Sequence, residues 1–140
     1  MLNFSKLKKR IKKHEGFRNR AYLDKLGNLT IGYGHLIRKS EKFRFRNKLT
    51  KRKLIKIFEK DFNIAVGDFN KRYNKLKMSK ETQEVLIEMI FQLGINRLMK
   101  FKKFNNYLKK NLFYLAALEM LDSLWYLQTP KRVENLVNIL

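Results

Sequence analysis

Glycine is concentrated in one short stretch of this chain, and that limits where the fold can be irregular. Four of the six glycines lie there: Gly16, Gly27, Gly32 and Gly34. Because glycine suits turns and weakens helices, we predict the β or irregular part of the fold in this stretch. Two short strands are predicted at residues 20–24 and 28–33, around a turn at 25–28. Residues 36–49 are basic and weakly patterned, which is compatible with a short helix or a loop.

The first half of the chain also contains two apolar patterns with helical spacing. One predicts a helix over residues 3–14, which Gly16 ends. The other is an apolar stripe that predicts a long helix over residues 51–70. Thr50 is a suitable N-cap for this second helix.

The second half of the chain is predicted to be helical throughout. Ser79 can cap a buried helix that Gly94 ends. Two further helices are predicted at residues 96–110 and 113–125. The pair Thr129–Pro130 places an N-cap before a proline at the first helical position, which opens a last helix.

These elements predict a single domain with a mostly helical α+β fold. We expect a small β-containing lobe at residues 15–50, a connecting helix at 51–70, and a larger helical lobe at 71–140 that also includes the first helix. The chain has no cysteine, which excludes disulfides, zinc-thiolate sites and thiol nucleophiles. Two well-separated histidines build no conventional zinc site, so we expect neither a metal nor a cofactor.

Positive charge is the strongest compositional feature. The formal net charge is +21, and residues 1–60 carry 20 Lys and Arg against 4 acidic residues. This asymmetry predicts an anionic partner, and nucleic acid, anionic membranes, lipopolysaccharide and phosphate-rich wall polymers all qualify. No apolar run approaches the roughly 20 residues of a membrane span. The basic N-terminus lacks the apolar core of a signal peptide, so we expect the chain to be made in a cytoplasm.

Only two acidic residues occur in the first forty positions, Glu15 and Asp24. Glu15 ends the predicted first helix, where the helix dipole favours a protonated carboxyl group that can act as an acid. Asp24 enters the predicted turn, where it should be ionised, and Thr30 could place a hydroxyl near it. A two-carboxylate hydrolase requires such a set. The simpler alternatives are a solvated helix end for Glu15 and an ordinary turn residue for Asp24.

The stretch HEGFRNRAYLDKLGNLTIGYGH resembles the catalytic segment of the phage-type lysozymes, glycoside hydrolase family 24. That family has a Glu, an Asp nine residues later, a Thr six residues further on, and a TIGxGH run. Three residues occupy the first of these places: Glu15, Asp24 and Thr30. Two later stretches follow the family order. FQLG at 91–94 resembles its FQxG run, and SLWYLQTPKR at 123–132 resembles its SxWYxQTPxR signature.

The resemblance implies a lysozyme-like fold and cleavage of the β-1,4 bond between N-acetylmuramic acid and N-acetylglucosamine in peptidoglycan. Glu15 would be the general acid, while Asp24 and Thr30 would position the attacking water and invert the anomeric carbon. Inversion predicts carboxyl groups about 6.5–9.5 Å apart, against about 5–5.5 Å for retention. A monomeric phage endolysin of this kind would wait in the host cytoplasm for a holin or a membrane lesion, and its charge would draw it to the anionic cell envelope.

The resemblance also implies supporting residues. Arg132 would pair with Glu15 and hold it in place. His35 and Asp61 would form a structural ion pair, and Trp125 is expected to pack in the core. Three positions would contact the substrate: Leu36, Phe91 and Gln92.

Two other functions remain open. A basic module without catalysis, binding nucleic acid or a membrane, would explain the charge, and residues 3–13 are its candidate membrane-active helix. Aromatic residues do not interleave with the basic ones as a base-stacking platform requires. A lytic transglycosylase uses a Glu without the Asp–Thr pair, so Asp24 and Thr30 argue against that reaction.

Overall fold

The structure, a computed structural model, describes residues 4–42 and 44–140. The chain divides into two compact units, Met1–Ile64 and Ala65–Leu140. Helices and a small antiparallel sheet form a mostly helical α+β fold, which confirms the predicted fold class. The predicted lobe boundaries stay a prediction.

The first unit begins with helix α1, Ser5–Glu15. Three antiparallel strands follow in sequence order: β1 Arg18–Leu23, β2 Leu29–Gly32 and β3 His35–Leu36. A short 3-10 helix at Lys39–Glu41 lies in the basic stretch for which the sequence allowed a helix or a loop. The first two strands were predicted with slightly shifted ends, whereas β3 was missed because two residues carry no alternating pattern.

Helix α1 ends at Gly16, as predicted. Gly16 has a φ of 72°, and its N–H donates to the carbonyl of Lys12 at 2.9 Å. Leu7 and Ile11, one turn apart on the same face of the helix, are fully buried. A buried cluster of the first unit consists of Ile31 in β2, Phe45 in the later loop and Leu54 in the next helix. Residue 3, included in the predicted helix, lies outside the described residues.

Helix α2 spans Lys51–Tyr73, and the division between the two units falls inside it. Its cap is the predicted one, because the hydroxyl of Thr50 accepts a hydrogen bond from the N–H of Lys53 at 3.3 Å. Within the first unit, Glu59 of α2 pairs with Lys8 of α1, with 2.7 Å between Nζ and Oε2.

Six helices follow α2: α3 Lys80–Leu93, α4 Ile95–Met99, α5 Lys102–Lys109, α6 Phe113–Leu121, α7 Leu124–Gln128 and α8 Pro130–Ile139. Helix α3 has both predicted ends. The hydroxyl of Ser79 accepts from the N–H of Thr82 at 3.1 Å, and the N–H of Gly94 donates to the carbonyl of Ile90. Its residues 85–90 are all buried, as its apolar sequence indicated, so α3 lies at the centre of the second unit.

The prediction of a single helix over residues 96–110 was wrong. It is divided into α4 and α5, because the side-chain amide of Asn105 donates to the carbonyls of Leu98 and Phe101, both at 2.9 Å. These bonds satisfy backbone acceptors at the corner and stabilise the break. An asparagine within a helical pattern does not reveal from sequence which carbonyl it will reach.

The prediction of a single helix over residues 113–125 was also wrong. Ser123 separates α6 from α7: its hydroxyl donates to the carbonyl of Met120 at 2.6 Å and accepts from the N–H of Tyr126 at 3.1 Å. One side chain therefore satisfies the end of one helix and caps the next.

Helix α8 begins at Pro130 with Thr129 at the cap position, as predicted. The hydroxyl of Thr129 forms no capping hydrogen bond with α8 and donates to the carbonyl of Trp125 at 3.2 Å. Across the described residues, no helix is both long enough and apolar enough to cross a membrane.

Candidate active site

One row of side chains crosses the sheet on a single face. Thr30 in β2 pairs with Tyr22 of β1 on one side and with Leu36 of β3 on the other. Residues that pair directly across antiparallel strands point to the same face, so these three side chains are neighbours. Ile31 and His35 pair on the opposite face, where Ile31 belongs to the buried core.

The carboxylate of Glu15 lies against Gly34, in the turn between β2 and β3. Glu15 is the last residue of α1 and is half-buried. A Cβ atom added to Gly34 would stand 2.7 Å from Cδ of Glu15 and closer still to Oε2. The φ of Gly34 is also positive, at 79°, which favours glycine. The glycine therefore leaves the space that the carboxylate occupies.

Asp24 is held by the turn that it begins. Its Oδ1 accepts hydrogen bonds from the backbone N–H groups of Leu26, at 2.9 Å, and Asn28, at 2.8 Å. This Asx-turn explains why an aspartate suits the position locally. Within residues 4–42 and 44–140, Oδ2 accepts no hydrogen bond, so the turn fixes the carboxylate while one oxygen remains available.

The hydroxyl of Thr30 is anchored to the same turn. Thr30 is only 2% exposed, and its Oγ1 donates to the carbonyl of Asn28 at 2.9 Å. With its proton committed, Oγ1 retains lone pairs that can accept a hydrogen bond from a water. The carbonyl of Asn28 also accepts from the N–H of Asp24 at 2.9 Å, so one backbone carbonyl positions both residues.

Tyr22 is a site residue that the sequence analysis missed. Burial raises the pKa of its phenol, the negative charges of Glu15 and Asp24 raise it further, and Arg18 opposes them. Both carboxylates therefore act electrostatically on one hydroxyl, which stays protonated. Strand alternation could have found this residue, because Tyr22 lies two positions before Asp24 and faces Thr30.

His35 lies between two carboxylates of the first unit. Its Nδ1 is 2.7 Å from Oδ2 of Asp61, and its Nε2 is 3.4 Å from each carboxylate oxygen of Glu41. Burial alone lowers the pKa of His35, but the hydrogen bond and charge of Asp61, with a contribution from Glu41, outweigh it and raise the pKa. The expected contact of His35 with Asp61 is thus present, and Glu41 is an additional partner that the sequence did not indicate.

In the second unit, Gln92 is fixed by two partners from the QTP region. Its Oε1 accepts from the indole N–H of Trp125 at 2.9 Å, and its Nε2 donates to Oγ1 of Thr129 at 3.5 Å. Trp125 is 1% exposed and packs in the core, as expected. Phe91 is half-buried. Two family motifs that are distant in sequence therefore meet, and they set the orientation of the Gln92 amide.

Arg132 has a buried partner that the sequence analysis did not name. Its Nε donates to Oε2 of Glu88 at 2.9 Å, and Glu88 is fully buried. The predicted pairing of Arg132 with Glu15 stays a prediction. Glu88 could have been noticed as the one acidic residue within the apolar face of α3, since a buried carboxylate needs a cation.

The candidate residues are thus distributed over the two units. The first unit contains six of them: Glu15, Asp24, Thr30, His35, Leu36 and Asp61. The second contains three: Phe91, Gln92 and Arg132. Among the described residues, no three His, Asp or Glu side chains form a group that could hold a metal ion.

A helical second unit, a small sheet and carboxylates held at two of the sheet's turns define a lysozyme-like protein. Comparison with known proteins agrees. The family model for phage lysozyme matches residues 12–138. "Probable T4-type lysozyme 2" of Dictyostelium discoideum is 31% identical over 160 aligned residues, covering 96% of this chain and 93% of that protein. "Probable T4-type lysozyme 1" of the same organism is 27% identical, covering 97% and 94%. The chain belongs to the phage lysozyme family and is a peptidoglycan-hydrolysing glycosidase of the lysozyme type.

Proposed function

We propose that this protein is a muramidase that cleaves the β-1,4 bond between N-acetylmuramic acid and N-acetylglucosamine with inversion. One arrangement carries the proposal: Glu15 lies at the turn that follows β2, Asp24 is locked in the turn that precedes it, and Thr30 stands between. An inverting reaction uses two carboxyl groups far enough apart to leave room for a water on one side of the sugar, and the proposal assigns these groups to Glu15 and Asp24.

Glu15 is the proton donor in this proposal. It protonates the glycosidic oxygen as the bond to the anomeric carbon breaks, so that the departing sugar leaves as an alcohol. The C-terminal end of α1 carries partial negative charge, which favours the protonated carboxyl group before the reaction. Gly34 leaves the space in which the carboxylate lies against the turn.

Asp24 and Thr30 orient the attacking water. The available Oδ2 of Asp24 accepts one proton of the water, and Oγ1 of Thr30 accepts a hydrogen bond from the other. The water oxygen then attacks the anomeric carbon from the face opposite the leaving group. Because the carbonyl of Asn28 anchors both residues, the two acceptors keep a fixed separation while the water reacts.

Three further residues are proposed to contact the glycan: Leu36, Phe91 and Gln92. Leu36 is 51% exposed and is the neighbour of Thr30 in the sheet. The amide of Gln92 is already oriented by Trp125, which would lower the cost of ordering it on a sugar. Arg132 is proposed to assist in positioning Glu15, as the family resemblance implies.

The biological setting that we propose is bacterial lysis by a phage endolysin, which acts alone as a monomer. The protein would remain in the host cytoplasm until a holin or a membrane lesion admits it to the wall. Its net charge of +21 would increase its local concentration at an anionic envelope. Lysis of bacteria only upon co-expression with a holin would support this setting, and equal lysis without the holin would contradict it.

The experiment that tests catalysis is clearing of purified cell walls by wild type, Glu15→Gln, Asp24→Asn and Thr30→Val, with Thr30→Ser as the matched control. We expect the first two variants to lose activity by roughly 100-fold or more. The side-chain oxygen of Asn at position 24 can still accept the hydrogen bonds of the turn. The loss of activity in Asp24→Asn would therefore reflect the missing negative charge. Thr30→Ser keeps the hydroxyl and should stay well above Thr30→Val. Wild-type rates in Glu15→Gln and Asp24→Asn would refute the proposal.

The products distinguish the reaction type. Mass spectrometry of the released muropeptides should show reducing ends that carry one added water, whereas a lytic transglycosylase leaves 1,6-anhydro sugars. Proton NMR during the first minutes should show the α-anomer first, because inversion of a β-bond produces it. Anhydro products would replace the proposed reaction with the transglycosylase one, and an initial β-anomer would replace inversion with retention.

A further inference from the structure

A cavity lined by four cationic side chains lies in the first unit, beside α2. It has a volume of about 390 Å³, and its lining residues are Arg44, Leu49, Lys53, Lys56, Ile57 and Lys60. The volume is within the range of small-ligand sites, about 300–1,000 Å³. No acidic side chain lines it. The proposed catalytic reaction uses none of these residues.

The sequence of α2 places its lysines on one side of this cavity. Lys53 and Lys60 are seven residues apart, which is two helical turns, and Lys56 lies between them one turn from Lys53. All three side chains are exposed. Arg44 faces them from the preceding loop, with its guanidinium carbon 5.4 Å from the ring centre of the buried Phe45. The cations therefore converge from two elements on one space.

The charge of this cavity is not neutralised from within the protein. In the part of the chain that the structure describes, none of its four cations forms an ion pair. The two acidic residues that flank Lys60 in the sequence of α2 have other partners, since Glu59 pairs with Lys8 at 2.7 Å and Asp61 with His35 at 2.7 Å. Four like charges gathered without a counterion repel one another, and a bound polyanion would relieve that repulsion.

The floor of the cavity is apolar and fixed. Leu49 and Ile57 pack against the buried cluster of Ile31, Phe45 and Leu54. The backbone N–H of Leu49 donates to the carbonyl of Asn19 at 3.0 Å, which ties the loop to the sheet unit. A ligand that suits this cavity has anionic groups separated by short aliphatic segments. A nucleic acid suits it less well, because none of the described residues that line the cavity has an aromatic ring to stack on a base.

We propose that this cavity binds the phosphate groups of a phosphodiester cell-wall polymer and thereby holds the enzyme on its substrate. The choice of a wall polymer rests on the proposed peptidoglycan hydrolysis, whereas binding of phosphodiester groups does not depend on it. Each lysine offers three donors to phosphate oxygens, and Arg44 can bind two oxygens of one phosphate. Leu49 and Ile57 contact the carbon segments between phosphates.

The experiment compares two triple variants with the same net charge. The cavity variant is Lys53→Gln, Lys56→Gln and Lys60→Gln, and the control is Lys71→Gln, Lys75→Gln and Lys77→Gln, which are exposed lysines outside the cavity. Calorimetry measures binding of a poly(glycerol phosphate) chain, of phosphatidylglycerol vesicles and of a DNA duplex at two salt concentrations. Circular dichroism verifies folding. Arg44→Gln, outside any helix, is a second variant that leaves α2 intact.

We expect the cavity variant to bind poly(glycerol phosphate) about tenfold more weakly than the control. A plot of the logarithm of its binding constant against the logarithm of the salt concentration should have a slope about two units shallower than that of wild type. Arg44→Gln should lose affinity in the same direction. Equal losses in both triple variants would overturn the proposal, because the binding would then report net charge alone. A cavity-specific loss for DNA or for vesicles, but not for poly(glycerol phosphate), would assign the cavity to another ligand and would also overturn it.

A separate measurement keeps this proposal distinct from the catalytic one. Hydrolysis of wall fragments from which phosphate polymers have been removed should be the same in the cavity variant and the control. If wild type hydrolyses no fragment, the proposed function is wrong. The difference in polymer binding between the two triple variants still shows whether the cavity binds phosphate groups. If the cavity variant loses hydrolysis of the phosphate-free fragments, the cavity belongs to the glycan site instead.

Discussion

The carboxylate of Glu15 occupies the space that a side chain at residue 34 would fill, and Gly34 has none. The contact joins the last residue of α1 to the turn between β2 and β3. It explains in physical terms why a glycine in the TIGYGH run accompanies a glutamate nineteen residues earlier. The glycine is part of the positioning of the carboxylate and does more than relax the turn.

Replacement of Gly34 by alanine should therefore reduce activity more than stability. The added Cβ would stand 2.7 Å from Cδ of Glu15, so the carboxylate must move. We expect kcat for wall hydrolysis to fall by roughly 100-fold, because small displacements of reacting groups are costly. Turbidity clearing at a temperature where the variant is folded measures this.

Gly94→Ala is the control for the backbone strain of Gly34→Ala. Gly94 has a φ of 83°, and nothing lies within 4 Å of its added Cβ. Both variants should lose about 1–3 kcal/mol of unfolding free energy from the positive φ. Only Gly34→Ala should lose kcat strongly, and equal kcat values in the two variants would contradict the positioning role.

Much of this fold could be predicted where the chemistry is local. Thr50, Ser79 and Gly94 mark the ends of helices through contacts a few residues away, so the sequence alone reveals them. The breaks near Asn105 and Ser123 were missed because a polar side chain in an apolar pattern does not show which carbonyl it will bind.

Part of the candidate site could likewise be predicted from the sequence. Spacing and the family resemblance indicated Glu15, Asp24 and Thr30. The role of Asn28 was missed because it acts through its backbone carbonyl, which any residue type could supply. Tyr22 was missed because a tyrosine in a strand is common, and only the pairing with Thr30 distinguishes it.

Tyr22→Phe should reduce catalysis modestly without loss of fold. Burial and the charges of Glu15 and Asp24 raise the pKa of the phenol, so the hydroxyl is a proton donor throughout the working pH range. The phenol lies close enough to both carboxylates to interact with them electrostatically, so loss of the hydroxyl dipole changes the field at the two groups. We expect kcat to fall about 2–10-fold, which corresponds to about 0.5–1.4 kcal/mol. We also expect the acid limb of the kcat/KM profile to move to higher pH.

Tyr114→Phe is the matched control for Tyr22→Phe, since Tyr114 is 77% exposed on α6. It should leave both kcat and the pH profile unchanged. A purely structural role for the Tyr22 hydroxyl would lower the unfolding free energy and leave the acid limb in place. That result would remove Tyr22 from the site.

The His35–Asp61 pair should make stability depend on pH. The folded pKa of His35 is raised above its ordinary value of 6.5, so its stabilisation is complete below about pH 6.5 and is lost as the pH rises through the folded pKa. The pKa of Glu41 is lowered despite partial burial, because the N–H of Arg38 and the charge of His35 stabilise the carboxylate. Its contribution is present above pH 4.5 and is lost as the pH falls through its folded pKa.

Asp61→Asn tests this pair in urea unfolding between pH 5 and pH 9. At pH 6 we expect a loss of about 1.5–3 kcal/mol of unfolding free energy, the worth of a hydrogen bond to a charged group. The loss should shrink as the pH rises through the folded pKa of His35, above which the ring is neutral in both proteins. Asp68→Asn removes a carboxylate from the same helix without touching His35 and should show no such trend. A pH-independent loss in Asp61→Asn would exclude the ion pair as its cause.

The pair of Glu88 and Arg132 should be the most sensitive polar contact described in the second unit. Glu88 is fully buried and Arg132 is 8% exposed, with 2.9 Å between Oε2 and Nε. Glu88→Gln removes the carboxylate charge beside the buried guanidinium, although the amide oxygen can still accept its hydrogen bond. We expect the unfolding free energy to fall by about 1.5–3 kcal/mol, the contribution of a hydrogen bond to a charged group.

Glu84→Gln, one turn earlier on α3 and only half-buried, provides the comparison for Glu88→Gln. The unfolding free energy of Glu84→Gln should be lower than that of wild type by about 1 kcal/mol or less. Chemical unfolding of both variants at one pH and salt concentration measures the difference. The gap should persist at high salt, because buried charges are screened far less than exposed ones. Similar losses in the two variants would mean that Glu88 contributes no more to stability than an ordinary surface carboxylate. The hydrogen bond from Arg132 to Glu88 would then not be the contact that holds Arg132 in place.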